Sequence, residues 1–512
     1  MTVSRRKIFN PYLQIIGRGV GTLLHIPGIM ALVTIPVCLL AGETYAAWPF
    51  ALTAGVAIAS GQLLRYPCRN SAPSRLRHAV LTVALSWLLI PLVGALPIYL
   101  IAAHLADSAT TPLTVTEFHN FWNPVFEAFS GFTSAGLTVT LHASELPYSL
   151  QWWRSLMQWV GGVGVIVLML TVLEPSTDAY QLYSAEGRQQ RIGLTLNATV
   201  RHIWWIYLVY TGGGILWLHL VGMSWWEALN HSMTGISTGG FSVADNSIGS
   251  YDLGIQLAMI PIMILGSMSF AIHYQVLRKR NWRVLWTDTQ HRALWIVLVL
   301  GFLALLLELS GFRPWSDALF LWASALGTCG FTTADLQDWN ATSKLLLAIG
   351  MVFGGAAGST AGGLKMSRVS SLFKAILWRF QRLSLKPHQV MRYILEGKAI
   401  PEAEANRRIE SAAVLAVLWV SLILLGIFVL RHVSLPDYTL SDVVFETASA
   451  LGSAGLTTGI THPDLPWLGK LVLILFMWMG RLEIIPVLLL LSWPLGVIRQ
   501  RMRRYLRSLS SR

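Results

Sequence analysis

The sequence predicts an all-α polytopic membrane protein: four membrane–pore–membrane repeats in a pseudo-fourfold arrangement, preceded by an N-terminal pair of transmembrane helices, about ten spans in all. Three observations predict it. The composition is 54% hydrophobic and 12% charged, with a mean hydropathy of +0.55, and apolar runs long enough to cross a bilayer recur from end to end. A phrase of hydroxyl, any residue, Gly, Phe or Leu, hydroxyl occurs four times, centred on Gly136, Gly240, Gly330 and Gly455. Lys and Arg gather in alternate loops, which marks membrane orientation. That distribution turns the net charge of +13 away from nucleic acid and towards a lipid bilayer.

The four glycines are separated by 104, 90 and 125 residues, so each phrase belongs to a domain-sized repeat. Six residues before each glycine stands a hydroxyl: Ser130, Thr234, Ser324 and Ser449. Thirteen before it stand Asn123, Glu227, Asp317 and Asp442.

In chain order, residues 1–77 hold spans at 23–42 and 46–66, and a basic loop with Arg65, Arg69, Arg75 and Arg77. Arg5-Arg6-Lys7 before an apolar run suits a signal peptide, but no small-residue cleavage site follows, so the first helix is read as uncleaved. Repeat 1 (78–190) uses spans at 79–103 and 149–174, and repeat 2 (191–285) uses 202–222 and 253–277. Repeat 3 (286–400) uses 292–310 and 342–380, and repeat 4 with a basic tail (401–512) uses 409–430 and 467–497. The segment before each phrase is too short to span and reads as a re-entrant half-helix; an acidic residue near the start of three of them suits a helix dipole.

Stretches 104–147, 223–250 and 432–466 contain no Lys or Arg, and 311–341 contains only Arg313. The opposite loops are rich in both, so the termini are expected in the cytoplasm and the glycine phrases enter from outside. Cys38, Cys68 and Cys329 are scattered, with no metal or disulfide spacing.

Four short glycine strands inside a hydrophobic chain point to a cation path. A dehydrating cation needs oxygen ligands, which extended backbone supplies as carbonyls. Glycine permits the backbone angles that turn carbonyls inward and leaves an axis open. Non-helical backbone at membrane depth must be buried or line water, which brings the four together. The candidate ion-binding residues are Ser134, Ala135 and Gly136; Thr238, Gly239 and Gly240; Thr328, Cys329 and Gly330; and Ser453, Ala454 and Gly455. No carboxylate lies within the phrases, which suits a monovalent ion. The competing reading, small residues packing helices closely, explains one such phrase better than four on the same side.

At these residues the chain resembles the Trk/Ktr/HKT superfamily of potassium transporters, and most closely its TrkH type. The likeness covers residues 79–497, with Ser237-Thr238-Gly239-Gly240-Phe241-Ser242 a specific piece. It implies potassium as the transported ion, with Gly136, Gly240, Gly330 and Gly455 as filter glycines. In the family a serine replacing the first goes with sodium transport, so Gly136 favours potassium; Ser134-Ala135 departs from the threonine run of relatives. The resemblance also implies a bacterial inner membrane, a homodimer, and a cytosolic nucleotide-binding ring of the TrkA/KtrA kind, for which the basic stretch 365–408 is a docking surface.

A second glycine cluster occupies residues 354–363, including Gly354, Gly355, Gly358, Gly362 and Gly363, followed by Lys365. It fails as a phosphate-binding loop because Leu364 separates glycine from lysine and Met366 replaces the required hydroxyl. So much glycine weakens a helix. The alternatives are tight packing or a break beneath the filter, and in the resembled family the corresponding stretch is an intramembrane gate. Arg481 and Glu483 fall within the last span; two apart, they face different sides, and the alternatives are a charge facing a cavity, a snorkelling Arg, or an ion pair between helices. The resemblance puts Arg481 in the pore below the filter, and Glu483 is expected to order cytoplasmic contacts. Glu127, His231 and Glu446 share a column nine before the glycines, read as polar packing in preference to a metal or proton relay.

No nucleophile elbow, zinc motif or paired catalytic carboxylates occur, and Gly161–Gly164 fails the dinucleotide fingerprint at Val167. No cofactor is expected in this chain, and no enzyme activity. The alternatives kept open are a sodium or non-selective cation path on the same architecture, and a polytopic membrane enzyme.

Overall fold

The computed structural model describes residues 11–106, 111–164, 196–309, 314–386, 389, 391–395, 398–434 and 437–493. The N-terminal unit is α1 (Pro11–Leu23) running into α2 (His25–Leu40), then α3 (Thr44–Cys68). The stretch read from the sequence as the first repeat holds α4 (Leu76–Leu105), a short α5 (Trp122–Thr133) and α6 (Tyr148–Val163). The second has α7 (Leu196–Val221), short α8 (Trp225–Ile236), and α9 (Leu253–Ser267) followed by α10 (Phe270–Leu277). The third has α11 (Thr289–Glu308), short α12 (Trp315–Gly327), α13 (Ala341–Phe353) and α14 (Met366–Leu383). The fourth has α15 (Glu402–Val433), short α16 (Leu440–Gly452), α17 (Trp467–Arg481) and α18 (Ile485–Trp493).

Hydrophobic surface faces both inwards and outwards. In α11 only 17% of the apolar window is buried, yet no charge occurs between Arg292 and Glu308. An apolar face of that size and length suits the hydrocarbon of a bilayer. Among the described residues six helices are long and apolar enough to cross a bilayer, or eight if each bent pair is one span. The interior is filled by aromatic side chains, including Trp87, Phe126, Phe132 and Trp153.

The four short helices are each 12 or 13 residues long and almost wholly buried. Ser224 with Glu227, and Thr439 with Asp442, form reciprocal capping boxes that satisfy the first-turn N–H groups of α8 and α16. Asp317 stands in the first turn of α12.

The structure corrects three expectations. The stretches 253–277 and 467–497 are not continuous spans. α9 and α10 meet at a 106° bend, where the Ser269 hydroxyl accepts from Ala271 N–H and starts a new helix. α17 and α18 meet at 118°, across Glu483 and Ile484 at φ 59° and 69°. The chain is also not purely helical: Tyr393–Leu395 (β1) and Lys398–Ile400 (β2) pair antiparallel within 365–408. The expected second half of span 149–174 and the basic tail from Arg499 lie outside the described residues.

Candidate functional site: the glycine ring and the loop beneath it

The four short helices end alike. The first hydroxyl of each phrase is left-handed: Ser134 at φ 53°, Thr238 at 51°, Thr328 at 50° and Ser453 at 50°. Two residues on, Gly136, Gly240, Gly330 and Gly455 have φ of 85°, 80°, 83° and 84°. The residue between them returns its N–H to the carbonyl of the upstream hydroxyl residue. These bonds are Ala135 to Ser130 (2.9 Å), Gly239 to Thr234 (2.8 Å), Cys329 to Ser324 (2.8 Å) and Ala454 to Ser449 (2.9 Å). The upstream hydroxyl column thus marks where each half-helix is closed off.

The four turns meet. A Cβ on Gly136 would lie 2.2 Å from the carbonyl oxygen of Gly239, and one on Gly240 would lie 2.2 Å from that of Cys329. On Gly330 it would lie 2.7 Å from the oxygen of Ala454, and on Gly455, 2.5 Å from that of Ala135. Each glycine therefore faces the carbonyl just before the glycine of the next repeat, and the fourth faces the first. The ring closes, and its positive φ and close approaches both exclude a side chain. Each half-helix directs its C-terminal, partially negative end at this ring.

A cavity of about 530 Å³ opens on the ring and is lined by all four glycines, Thr138, Thr332 and Thr457, and the carboxylate residues Asp245 and Asp335. The candidate hydroxyls themselves point into the protein. Ser134 Oγ donates to the Gln158 carbonyl (3.1 Å), and Thr238 Oγ1 to that of Ser237 (2.7 Å). Thr328 Oγ1 accepts from Gly362 N–H (2.7 Å), and Cys329 Sγ packs against the Gly327 and Met263 carbonyls. Ser453 Oγ is buried without a hydrogen-bond partner among the described residues.

The glycine cluster is a loop between α13 and α14, with Gly354, Gly358 and Gly363 at φ 69°, 79° and 76° and Lys365 at 78°. It touches several repeats. Thr360 Oγ1 donates to the carbonyls of Gly266 (2.8 Å) and Ile236 (3.0 Å), and Gly363 N–H to that of Gly452 (2.9 Å). Gly355 packs against Ser267, Gly362 against the Gly452 carbonyl, and Lys365 Nζ folds back onto the Ala361 carbonyl. Arg481 donates to the carbonyls of Thr360 (3.2 Å), Gly161 and Gly162 (3.0 Å). Glu483 turns the other way and pairs with Arg368 on α14.

A family profile for TrkH, described as a cation transport protein, matches residues 49–312 and 313–498. The chain belongs to the TrkH family. A relative described as an uncharacterised cation transporter of Methanocaldococcus jannaschii is 34% identical over 82% of this chain and 83% of its own. The Trk system potassium uptake protein TrkH of Halomonas elongata is 30% identical, covering 86% and 91%. That of Escherichia coli K12 is 29% identical over 92% and 95%. The crystal structure of the potassium transporter TrkH from Vibrio parahaemolyticus superposes with a TM-score of 0.77, at 28% identity, over 93% of this chain and 98% of that one. This TrkH-family chain is a membrane transport protein and not an enzyme, as its relatives are named transporters.

Sequence reasoning missed the braces around the TrkH ring. Gln158 on α6 donates to the Gly239 carbonyl (2.7 Å) and accepts from Phe241 N–H (2.9 Å). One turn earlier, buried Arg154 pairs with Glu127 (2.7 Å), donates to the Ser242 carbonyl (3.0 Å), and lies over the Phe241 ring. The column nine before the glycines braces the outgoing strands. Glu127 accepts from the Thr138 (2.8 Å) and Thr140 (3.1 Å) hydroxyls, and Glu446 from Thr457 (2.9 Å) and Thr461. His231 Nε2 meets Ser242 Oγ at 2.9 Å. Among the described residues no group of three His, Cys, Asp or Glu could hold a metal ion.

A further column is the fourth residue of each second helix: Gln151, Gln256, Lys344 and Lys470. Each donates to a carbonyl of the preceding loop: Leu146 (3.0 Å), Tyr251 (2.9 Å), Gln337 (2.7 Å) and Pro463. Three also reach the next repeat's short helix: Gln151 to Trp226 (2.7 Å), Lys344 to Asp442 (2.6 Å) and Lys470 to Asn123 (2.6 Å). The signal was present, as a Gln or Lys 14 to 16 positions after each of the four glycines.

Proposed function

We propose that this chain is the membrane subunit of a potassium uptake system, conducting potassium through the ring at Gly136, Gly240, Gly330 and Gly455. The closed succession of glycine-facing carbonyls carries this reading, because it offers the neutral oxygens that replace a monovalent cation's water. The relatives named potassium uptake proteins supply the ion. The fold is four membrane–pore–membrane repeats after an N-terminal pair. The span count reaches ten when α6 and the interrupted α13–α14 are each counted as crossing. Termini lie in the cytoplasm, and potassium is substrate, not cofactor.

The loop 354–363 is the gate and Arg481 its latch. The loop reaches Thr328 and Gly452 at the ends of two filter helices, while its side-chain hydroxyl Thr360 bonds two more elements. The Arg481 guanidinium fixes the loop to Gly161 and Gly162 of repeat 1 and adds a positive charge beneath the ring. α14 leaves the loop directly, and its pairing with Glu483 couples it to the bend of repeat 4. A cytosolic nucleotide-binding ring acting on 365–408 biases the loop through that helix. Phe373, Phe380 and Leu383 leave an exposed apolar face on α14, which supports assembly as a homodimer.

The test is growth of a potassium-uptake-deficient bacterium in limiting potassium. Rescue by this chain supports the reading; rescue only of sodium-dependent growth, or none with the protein present in the membrane, overturns it.

A further inference from the structure

Away from the ring, α7 and α10 leave a groove between them with a cavity of about 390 Å³. The two helices are tied by Tyr210 Oη to His273 Nδ1 (2.9 Å) and by His202 packing against Tyr274 with ring centroids 4.7 Å apart. Arg201, in the second turn of α7, and Arg278, immediately after α10, both line the groove. Lys279, Arg280 and Arg283 follow, so this is the basic side of the protein. No acidic side chain lines the cavity.

The groove changes character along its length. Arg201, Trp205 and Val209 follow one another at helical spacing on α7, covering ~12 Å. Charge, then an amphipathic indole, then an aliphatic chain is the order that a bilayer presents from headgroup to hydrocarbon. Leu277 continues the apolar wall, and Trp205 is 63% exposed, so no protein element described covers it.

We infer that the α7–α10 groove binds an acidic glycerophospholipid of the cytoplasmic leaflet, its phosphate between Arg201 and Arg278 and its acyl chain against Trp205 and Val209. Two guanidiniums suit a phosphodiester, and basic pockets between transmembrane helices on this side of a membrane recognise anionic headgroups. A second copy docked across a twofold axis at the groove would instead set this cationic cluster against itself. The inference rests on the membrane orientation of the transport reading.

The experiment titrates the purified full chain in detergent with phosphatidylglycerol or phosphatidylcholine and counts retained lipid by native mass spectrometry. One phosphatidylglycerol is retained at least tenfold more tightly than phosphatidylcholine, and R201Q/R278Q abolishes that preference. Val209→Trp, which fills the apolar part and leaves the charges, also loses the lipid. Equal retention of the two lipids, or unchanged phosphatidylglycerol retention in both variants, overturns the inference. So does displacement of the lipid by millimolar inorganic phosphate, which would make this a free-anion site. A loss of dimer with lipid retained in R201Q/R278Q would make the groove a subunit contact and overturn it too. If phosphatidylglycerol is retained as stated but no variant or wild type moves potassium, the transport reading fails and this one stands.

Discussion

Gly136→Ser tests the ring at its tightest point. Gly136 sits at φ 85°, where a residue with a Cβ is strained by ~1–2 kcal/mol. That Cβ would lie 2.2 Å from the Gly239 oxygen, about 1 Å inside ordinary contact, so the carbonyl must move. Gly239 O is also held by Gln158 Nε2 at 2.7 Å, so moving it strains or breaks that bond, at ~1 kcal/mol more. The total, ~2–3 kcal/mol, equals a ~30- to 150-fold change in an equilibrium constant, enough to remove much of a cation preference set by carbonyl spacing. The assay is potassium against sodium flux in liposomes containing equal amounts of folded protein. The potassium preference falls at least tenfold. An unchanged preference would mean that Gly136 does not shape the ion's oxygen cage.

Three further outcomes follow from the same contacts. Shortening 354–363 by two residues raises basal potassium flux and weakens dependence on a cytosolic partner; unchanged flux from a folded deletion reduces the loop to packing. Lys344→Met strands the buried Asp442 carboxylate and costs up to ~3–5 kcal/mol, lowering the melting temperature, whereas K344M/D442N recovers part of it; equal melting of both variants would show the pair to be immaterial. Gln158→Leu removes both bonds to the second strand and takes that partner from the Gly239 carbonyl and the Phe241 N–H, so it lowers potassium preference and also the melting temperature; a folded variant with wild-type selectivity would show that the strand holds itself.

The ring was legible because it is written four times and because glycine at φ near 80° has few substitutes. The break in the helix at 354–363 was legible for the related reason that ten residues of small and hydroxyl side chains weaken a helix. The left-handed hydroxyl residue that opens each turn was not. Ser and Thr rarely adopt that conformation, and only the surrounding fold imposes it at Ser134, Thr238, Thr328 and Ser453. The bends themselves fall on Met268-Ser269 and Leu482-Glu483-Ile484, but Gly266 precedes the first and Gly480 and Pro486 bracket the second, so a local signal is present and is masked by the apolar run on either side. Partners such as Lys470 and Asn123, 347 residues apart, cannot be paired from one sequence at all.

In the proposed reading, four glycine turns form one cation site on one axis. Replacing potassium by thallium or rubidium in a crystal of the full chain, and locating the ions by anomalous scattering, tests it most directly. Ion peaks are expected on the axis enclosed by the carbonyls of Ala135, Gly239, Cys329 and Ala454, diminished when sodium replaces potassium. Peaks confined to other parts of the protein, with that axis empty, would contradict it.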